Sequence, residues 1–389
     1  MKTTILFFIF ISLFLLTPVV ASEIVHLTND TGSVFLTPQW SPDGNRIVYI
    51  SSPVWYKIDI WTIDSDGNSK KQITTGISGY AFNDPWSTDG TKLAYSSLEY
   101  WLIPGLWIYD VYTEEKHTLK GIKNIDSYQW VNGSKLFIVQ EEDDTQKLWL
   151  VDPDVTNKSL LTTLSGENTR FLWQPNGNRI LYTSNESGNY DVWIMDSDGS
   201  GKKQLTSTPE DEYAMGIAFS PDGNKIVYAS RNTVDRTNLS SFEGFFTTVW
   251  TMDVDGTNKT KLALSKNMYI YPSWSPDGTK IAFECRNDSG RPDVVVMNAD
   301  GSDEAILTAN ISGGESPQWS PKGDQIVFVS SKDGKTSVSV IILEDEWKSV
   351  PAKTMASAIS QGNGKKSPGF TASLVMMAFL IVFVFQKRK

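Results

Sequence analysis

The sequence predicts an all-β fold, a seven-bladed β-propeller in which each blade is a four-stranded sheet. Three observations predict this fold. A Trp-Ser-Pro-Asp-Gly motif recurs at a nearly constant interval, each interval contains short strand patterns, and the last interval lacks a strand that the N-terminal segment supplies. The chain has 389 residues, of which 40% are hydrophobic and 12% aromatic, so it can bury a large core.

The motif occurs seven times, either complete or with substitutions. Its copies begin at Trp40, Trp86, Trp130, Trp173, Phe219, Trp274 and Trp319. Neighbouring copies are 43 to 55 residues apart, which is close to the length of one four-stranded propeller blade. Seven copies therefore predict seven blades.

Each interval reads as four strands. The first strand begins with the motif aromatic residue and ends in a Pro-Asp-Gly turn, which favours a tight hairpin. The second strand alternates in hydrophobicity, as over residues 46–50, and the third, as over 59–64, ends in an Asp-Gly turn. The fourth strand ends in Ile-Thr or Leu-Thr, as over residues 72–74.

The last interval is incomplete. Residues after Trp319 supply three strands but no Leu-Thr ending, whereas residues 24–28 have this ending and precede the first motif copy. We therefore predict that the N-terminal strand completes the last blade. This arrangement would close the ring and leave no open sheet edge.

The tryptophans support the packing of the predicted blades. Eleven of the fourteen occupy repeat positions, six of them as the motif residue that opens the first strand. The other five fall in the third strand and are Trp61, Trp107, Trp149, Trp193 and Trp250. Large flat side chains suit the space between twisted sheets, so we interpret these residues as core and not as a ligand cage.

The repeated unit resembles the TolB-type propeller repeat. The resemblance rests on the Trp-Ser-Pro-Asp-Gly motif, the downstream Asp-Gly turn and the Leu-Thr strand, and it covers roughly residues 24–345. It implies the propeller fold. Propellers of this type serve as binding platforms, assembly parts or accessory domains of peptidases, so the resemblance by itself does not assign an activity.

The N-terminus predicts export. Residues 1–22 contain Lys2, an apolar run from Ile5 to Leu16 and a small-residue exit at Ala21, the pattern of a secretory signal peptide. The alternative is an N-terminal membrane anchor. We expect residues 23–347 to form the propeller and residues 348–367, rich in Ala, Ser, Gly and Lys, to form a flexible stalk.

The C-terminal residues 368–389 contain Pro368-Gly369-Phe370, an apolar segment and a basic end. This order resembles the PGF-CTERM sorting signal of archaeal surface proteins, in which an archaeosortase removes the tail and attaches a lipid. The resemblance implies an archaeal protein anchored at its C-terminus on the extracellular face of the cell membrane. The alternative is a plain transmembrane helix, which would also keep the propeller outside the cell.

Eight possible N-glycosylation sites agree with export. Asn-x-Ser/Thr occurs at Asn29, Asn132, Asn157, Asn185, Asn238, Asn258, Asn287 and Asn310. Most of these sites fall in predicted loops or turns, where a glycan can be accommodated.

Composition argues against several function classes. A net charge of −10 argues against nucleic-acid binding, and a single cysteine, Cys285, excludes internal disulfides and multi-cysteine metal clusters. The two histidines, His26 and His117, argue against a histidine-rich metal site, and no cofactor is predicted. We interpret the Asp-rich segments 64–68 and 141–144 as turns in preference to cation sites.

Aromatic residues concentrate in the loops that join strands two and three and in those that join successive blades. These loops all project from one face of a propeller. The predicted binding face comprises Trp55, Tyr56, Tyr100, Trp101, Phe242, Phe245 and Phe246. Exposed aromatic residues on one face indicate a contact surface for a protein or a glycan, and the alternative is that they cap the core.

The sequence thus predicts a non-catalytic cell-surface module, associated with the envelope or surface layer, that binds envelope proteins or glycans. The alternative is a metal-dependent hydrolase or lyase at the mouth of the propeller channel. Asp84, Asp211 and Glu212 would be its candidate acidic residues.

Overall fold

The computed structural model describes most of residues 23–343. The described ranges are 23–28, 34–54, 57–77, 84–99, 103–119, 121–131, 133–207, 211–233, 245–265, 269–286, 290–309, 311, 313–332 and 335–343. They belong to one compact unit. The predicted signal peptide, stalk and sorting signal lie outside the described residues. Within the described ranges there is no helix of the length and hydropathy that a membrane crossing needs.

The described residues form seven antiparallel sheets. The N-terminal strand is β1 (Glu23–His26), and blade one contains β2 (Val34–Trp40), β3 (Arg46–Val54), β4 (Lys57–Asp64) and β5 (Lys71–Gln72). Blade two contains β6 (Lys92–Glu99), β7 (Ile103–Asp110) and β8 (Lys116–Thr118). Blade three contains β9 (Ile125–Val131), β10 (Lys135–Glu142), β11 (Thr145–Val151) and β12 (Lys158–Ser165).

The remaining sheets follow in chain order. Blade four contains β13 (Asn168–Trp173), β14 (Arg179–Ser184), β15 (Asp191–Asp196) and β16 (Lys203–Gln204). Blade five contains β17 (Asp211–Phe219), β18 (Lys225–Thr233), β19 (Phe245–Asp253) and β20 (Thr260–Ser265). Blade six contains β21 (Tyr269–Trp274), β22 (Lys280–Arg286), β23 (Pro292–Asn298) and β24 (Ala305–Ile306). Blade seven contains β25 (Gly314–Trp319), β26 (Gln325–Lys332) and β27 (Lys335–Ile342), with β1 as its outer strand.

The ring closes as predicted. β1 pairs antiparallel with β27, with Glu23 opposite Ile342 and His26 opposite Ser339. The seven-bladed prediction is therefore confirmed.

The motif aromatic residue, however, ends the first strand instead of opening it, as Trp40 does in β2, because the residues before the motif turn are the ones that pair with the second strand. In blade two, residues 78–83 lie outside the described residues, and the described part of the first strand joins the sheet through a bridge between Trp86 and Leu93.

Hydrophobic side chains fill the spaces between neighbouring blades. Each of the seven blade interfaces holds one cluster of buried residues. In the cluster between blades seven and one, for example, Tyr49 packs with Val327 and Val338. The motif residue Trp130 is buried and the third-strand Trp250 is half-buried against its cluster. Both positions belong to the core, as the repeat pattern predicts.

The motif is a self-contained hydrogen-bonded turn. The Ser220 hydroxyl donates to Asp222 at 2.6 Å, and the backbone N–H of Asn224 donates to the same carboxylate at 3.1 Å. These hydrogen bonds, that from Ser220 above all, hold the pKa of Asp222 below its usual range. Gly223 adopts a φ of 70°, a conformation that glycine adopts without a steric penalty. The motif therefore encodes its turn locally.

The Leu-Thr ending has a structural role. Thr74, Thr206, Thr308 and Thr28 each accept a hydrogen bond from a third-strand N–H, at 2.8 to 3.0 Å. The Thr206 hydroxyl also donates to the buried Asp191 at 3.0 Å. Because the outer strands β5, β16 and β24 are only two residues long, this side-chain contact extends a short backbone ladder.

We predict that Thr206→Val destabilises the propeller by about 1–3 kcal/mol, because it leaves the Val192 N–H without its acceptor and removes a donor to Asp191. Urea unfolding followed by tryptophan fluorescence measures this change. Thr163→Val, at an exposed position of β12, is the matched control and should change stability little. Equal stability of the two variants would contradict the role assigned to the threonine.

Candidate binding site in the central channel

The first strands surround the axis of the ring. Contacts join β2 to β25, β25 to β21, β21 to β17, β17 to β13 and β13 to β9. The residue immediately before the motif aromatic is half-buried in six blades and lines a central cavity of about 500 Å³. These residues are Gln39, Gln129, Leu172, Ala218, Ser273 and Gln318. Three amides and a hydroxyl thus face one space.

The inner strands are bulged at a constant position. Three residues before the motif aromatic, Thr37, Arg170, Tyr271 and Ser316 have φ values of 40°, 50°, 54° and 53°. The strand register shifts at each of these sites. Such a conformation costs a non-glycine residue on the order of 1–3 kcal/mol, and bulges re-aim side chains next to functional sites. Four blades therefore carry strain that points to a use of the channel.

Arg170 is the charged member of this set. The equivalent residues of the other blades are Thr37, Asn83, Ser127, Gly216, Tyr271 and Ser316. Arg170 lines the cavity and is exposed to it. Burial within the ring lowers its pKa, while Tyr271 and Asp84 favour its charged form. Among the described residues, no hydrogen-bond acceptor or ion-pair partner engages its guanidinium.

Asp84 also departs from the repeat. It stands two residues before Trp86, where the other copies have an apolar or aromatic residue. Those residues are Pro38, Tyr128, Phe171, Ile217, Pro272 and Pro317. Burial raises the pKa of Asp84 to about 7, although the backbone N–H of Trp130 and the Arg170 charge favour its ionised form. The carboxyl group therefore titrates near neutral pH.

Neighbouring groups complete the channel wall. Burial raises the pKa of Asp126, against the effect of a hydrogen bond from Ser127. The Tyr128 hydroxyl donates to the carbonyl of Ala94 at 2.7 Å, and burial followed by the Asp84 charge raises its pKa. Gln129 Oε1 accepts the Trp173 backbone N–H at 2.7 Å. The channel wall around the Arg170 side chain therefore contains both hydrogen-bond donors and hydrogen-bond acceptors.

Of the three acidic residues predicted near the channel mouth, one lies in the channel wall and two lie at the start of β17. Asp84 lies in the channel wall. Asp211 and Glu212 begin β17, where they pair with Arg231 and Ser230, and only their backbone is described. Sequence reasoning did not select Arg170. An alignment of the seven copies would have found it, because it is charged at a position that is uncharged in the other six.

Most of the predicted aromatic face falls outside the described residues. Trp55, Tyr56, Tyr100, Trp101 and Phe242 belong to this group. For Phe245 and Phe246 the structure describes the backbone, which begins β19 opposite Thr233 and Asn232. The aromatic contact surface therefore stays a prediction.

Three of the possible glycosylation sites lie in described turns. The side-chain amides of Asn157, Asn185 and Asn258 donate to the carboxylates of Asp152, Glu167 and Asp253 at 2.6 to 2.7 Å. A glycan on any of them would have to replace or share that hydrogen bond. The other five sites lie outside the described residues, at Asn29, Asn132, Asn238, Asn287 and Asn310.

The Asp-rich segments form turns, as predicted. Asp66 accepts the backbone N–H of Asn68 at 3.0 Å, and Asp143 and Asp144 form the tip of the β10–β11 hairpin with φ values of 49° and 59°. Within the part of the chain that the structure describes, His, Cys, Asp and Glu side chains do not come together in groups of three or more that could hold a metal ion. The single cysteine, Cys285, is buried.

A known protein family matches most of the chain. A family model described as the TolB beta propeller domain matches residues 51–243 and 246–359. The chain belongs to the TolB β-propeller family. No sequence relative is found among curated proteins.

Solved structures share the TolB-type propeller fold at low identity. An oligogalacturonate lyase in complex with manganese is 14% identical, with 84% of this chain and 94% of that chain covered and a TM-score of 0.65. The β-propeller domain of the Trilobed protease from Pyrococcus furiosus is 15% identical, with 79% and 97% covered and a TM-score of 0.56. TolB from Acinetobacter baumannii is 20% identical, with 71% and 66% covered and a TM-score of 0.53.

The closure of the ring distinguishes this TolB-type chain from one of these structures. The Pyrococcus furiosus domain is described as having an open velcro topology. In the present chain β1 pairs with β27, so the last blade contains strands from both ends of the propeller. At these identities the similarity shows the fold, and the functional groups must be argued from the residues of this chain.

We predict that Asp84 makes the propeller less stable as the pH rises. Its folded-state pKa of about 7 exceeds the ordinary value of 3.8, so between these values the folded protein holds a proton that the unfolded chain has released. Asp84→Asn, which keeps an acceptor for the Trp130 N–H, should be more stable than the unchanged protein at about pH 8, with the difference vanishing near pH 4.

Urea unfolding over this pH range measures the effect, and Asp222→Asn is the control of opposite sign. The pKa of Asp222 lies below its ordinary value, so its ionised form stabilises the fold above that value. Asp222→Asn should therefore be less stable than the unchanged protein near neutral pH. A pH-independent difference for Asp84→Asn would contradict the assignment.

Proposed function

We propose that this protein is a non-catalytic binding module on the outer face of an archaeal cell, with an envelope or surface-layer protein or glycan as its partner. The observation that carries the proposal is the central channel. Four inner strands adopt a strained conformation at one repeat position, and one of them carries a guanidinium that lines the cavity without an acceptor among the described residues.

The groups that line the channel suit binding. Amides, hydroxyls and the Arg170 cation converge on a cavity of about 500 Å³, within the size range of small-ligand pockets. The first strands run from the blade-to-blade loops towards the motif turns, so the bulged residues lie nearer the loop-bearing face. A partner that contacts the predicted aromatic face could therefore insert a polar group into the channel.

The sequence supports display on the cell surface. Residues 1–22 read as a signal peptide, and residues 368–389 resemble an archaeal sorting signal that an archaeosortase would process. The stalk formed by residues 348–367 would then tether the propeller to the membrane. The eight possible glycosylation sites are consistent with this compartment.

A metal-dependent hydrolase or lyase is the second candidate function. The observation in its favour is Asp84, a channel carboxyl whose pKa of about 7 suits proton transfer near neutral pH. The fold similarity to an oligogalacturonate lyase in complex with manganese agrees with this candidate without establishing it. The described channel residues do not themselves provide a set of three or more metal-ligating side chains.

We predict that replacing Trp55, Trp101 and Phe245 with alanine reduces capture of the envelope partner by about tenfold or more, because aromatic anchors dominate contact surfaces. The measurement is quantitative cross-linking and mass spectrometry of native envelope material captured by residues 23–347. Thermal unfolding should be unchanged.

The matched control replaces three exposed apolar residues of the described surface, Tyr112, Leu160 and Ile306. This triple variant should capture the partner as well as the unchanged protein does. Equal capture by the variant of the predicted face would show that the partner binds elsewhere.

Manganese titration separates the two candidate functions. We expect no tight stoichiometric binding of Mn²⁺ by calorimetry, because the described carboxyl groups are not arranged in a ligand set. Tight binding at one ion per chain that Asp84→Asn abolishes would contradict the binding-module proposal and favour the enzyme.

A further inference from the structure

Arg170 combines two unfavourable features. Its backbone has a φ of 50°, and its guanidinium, a group with five N–H donors, finds no acceptor among the described residues. The positive φ recurs at this position at Thr37, Tyr271 and Ser316, but the charge does not, because the equivalent residue in each of the other six copies is uncharged. A bound acceptor would satisfy the donors and explain why the strained position carries an arginine.

The opposite side of the ring supplies neutral polar groups. In a ring of seven blades, blades seven and one lie across the channel from blade four, which carries Arg170. Gln318 and Gln39 come from those two blades and line the same cavity. Ser273 Oγ, from blade six, lies 3.4 Å from Gln318 Oε1. A ligand that reaches Arg170 therefore meets amides and a hydroxyl at its other end.

The charge of the ligand follows from the acidic neighbours. Asp84 and Asp126 lie in the same wall as Arg170, so a doubly charged phosphate or sulfate would meet one cation and two acidic groups. A carboxylate carries one negative charge and matches the planar guanidinium fork with two parallel hydrogen bonds. The channel thus favours a carboxylate over a multiply charged anion.

We propose that the channel binds the carboxylate group of a polar ligand, with Arg170 paired to the carboxylate and Gln39 and Gln318 contacting the rest of the molecule. The inference rests on the proposed binding function and names the chemical class of the ligand. The carboxylate can belong to a uronic acid or to an acidic amino acid, which share this chemistry.

The acidic neighbours make binding depend on pH. Ionised Asp84 stabilises Arg170 and repels a second carboxylate, whereas its protonated form does neither. Asp126, whose pKa is also raised by burial, acts in the same direction, while burial raises the pKa of Tyr128, so that its phenol stays neutral near pH 7. Binding of a carboxylate should therefore strengthen as the pH falls through about 7.

The test is calorimetric titration of the purified protein at low salt with four probes. D-glucuronate and N-acetyl-L-glutamate carry the carboxylate, and glucuronamide and N-acetyl-L-glutamine are their neutral counterparts. We expect at least one acid to bind about tenfold or more tightly than its amide. A preference for glucuronate or for N-acetyl-L-glutamate identifies the source of the carboxylate.

Variants assign the binding to Arg170. Arg170→Gln should weaken binding of the acid by about tenfold or more, and Arg170→Lys, which keeps the charge without the fork, should weaken it less. Arg46→Gln removes the same charge from the exposed surface and should leave binding unchanged. Asp84→Asn should strengthen binding at about pH 8 and reduce its pH dependence.

Thermal unfolding of each variant shows whether it folds. If Arg170→Gln fails to fold, Arg170→Lys and Asp84→Asn still test whether Arg170 binds the carboxylate. Failure of both acids to bind, or equal binding of acid and amide, would overturn the carboxylate assignment. If the amides bind equally well, the channel remains a binding site and the proposed function stands. If an acid binds through Arg170 but no envelope partner is captured, the proposed partner class fails instead.

Discussion

Pairing of β1 with β27 is the contact on which the geometry of the channel depends. It joins residues as far apart in sequence as Thr28 and Val338, whose hydroxyl and N–H lie 3.0 Å apart. Without this strand, blade seven would present an open edge, and the hydrophobic cluster between blades seven and one would lose Leu27. The first strands surround a cavity of fixed shape because the ring is closed.

Within that ring, the outer and inner parts of the blades have different roles. The motif turn and the threonine of the outer strand satisfy polar groups locally, as Ser220 and Thr206 do. The inner strands instead depart from regular pairing three residues before the motif aromatic, as at Arg170 and Tyr271. Stable packing between the blades holds these strained segments in place, and the strain positions polar groups around the axis.

The seven motif copies made the fold predictable because each encodes its own turn, and Thr28 made the closing strand predictable because it repeats an outer-strand ending. The position of the motif aromatic residue at the end of its strand, as at Trp40, was not predictable, since a turn motif alone does not specify which flanking residues pair with the next strand. The site was harder to predict. Asp84 was recognised as an acidic residue near the mouth. Arg170 differs from its equivalents only when the seven copies are aligned, and the bulge at its position is not specified by any local pattern.

The central claim is that the partner enters the channel and engages Arg170. Selective ¹⁵N labelling of arginine allows its side-chain Nε–Hε signal to be assigned by comparison with Arg170→Lys and followed while fractionated envelope material is added. We predict that the Arg170 signal shifts with the bound fraction while the signal of Arg46 on the exposed surface does not. Partner binding that leaves the Arg170 signal unchanged would contradict the account.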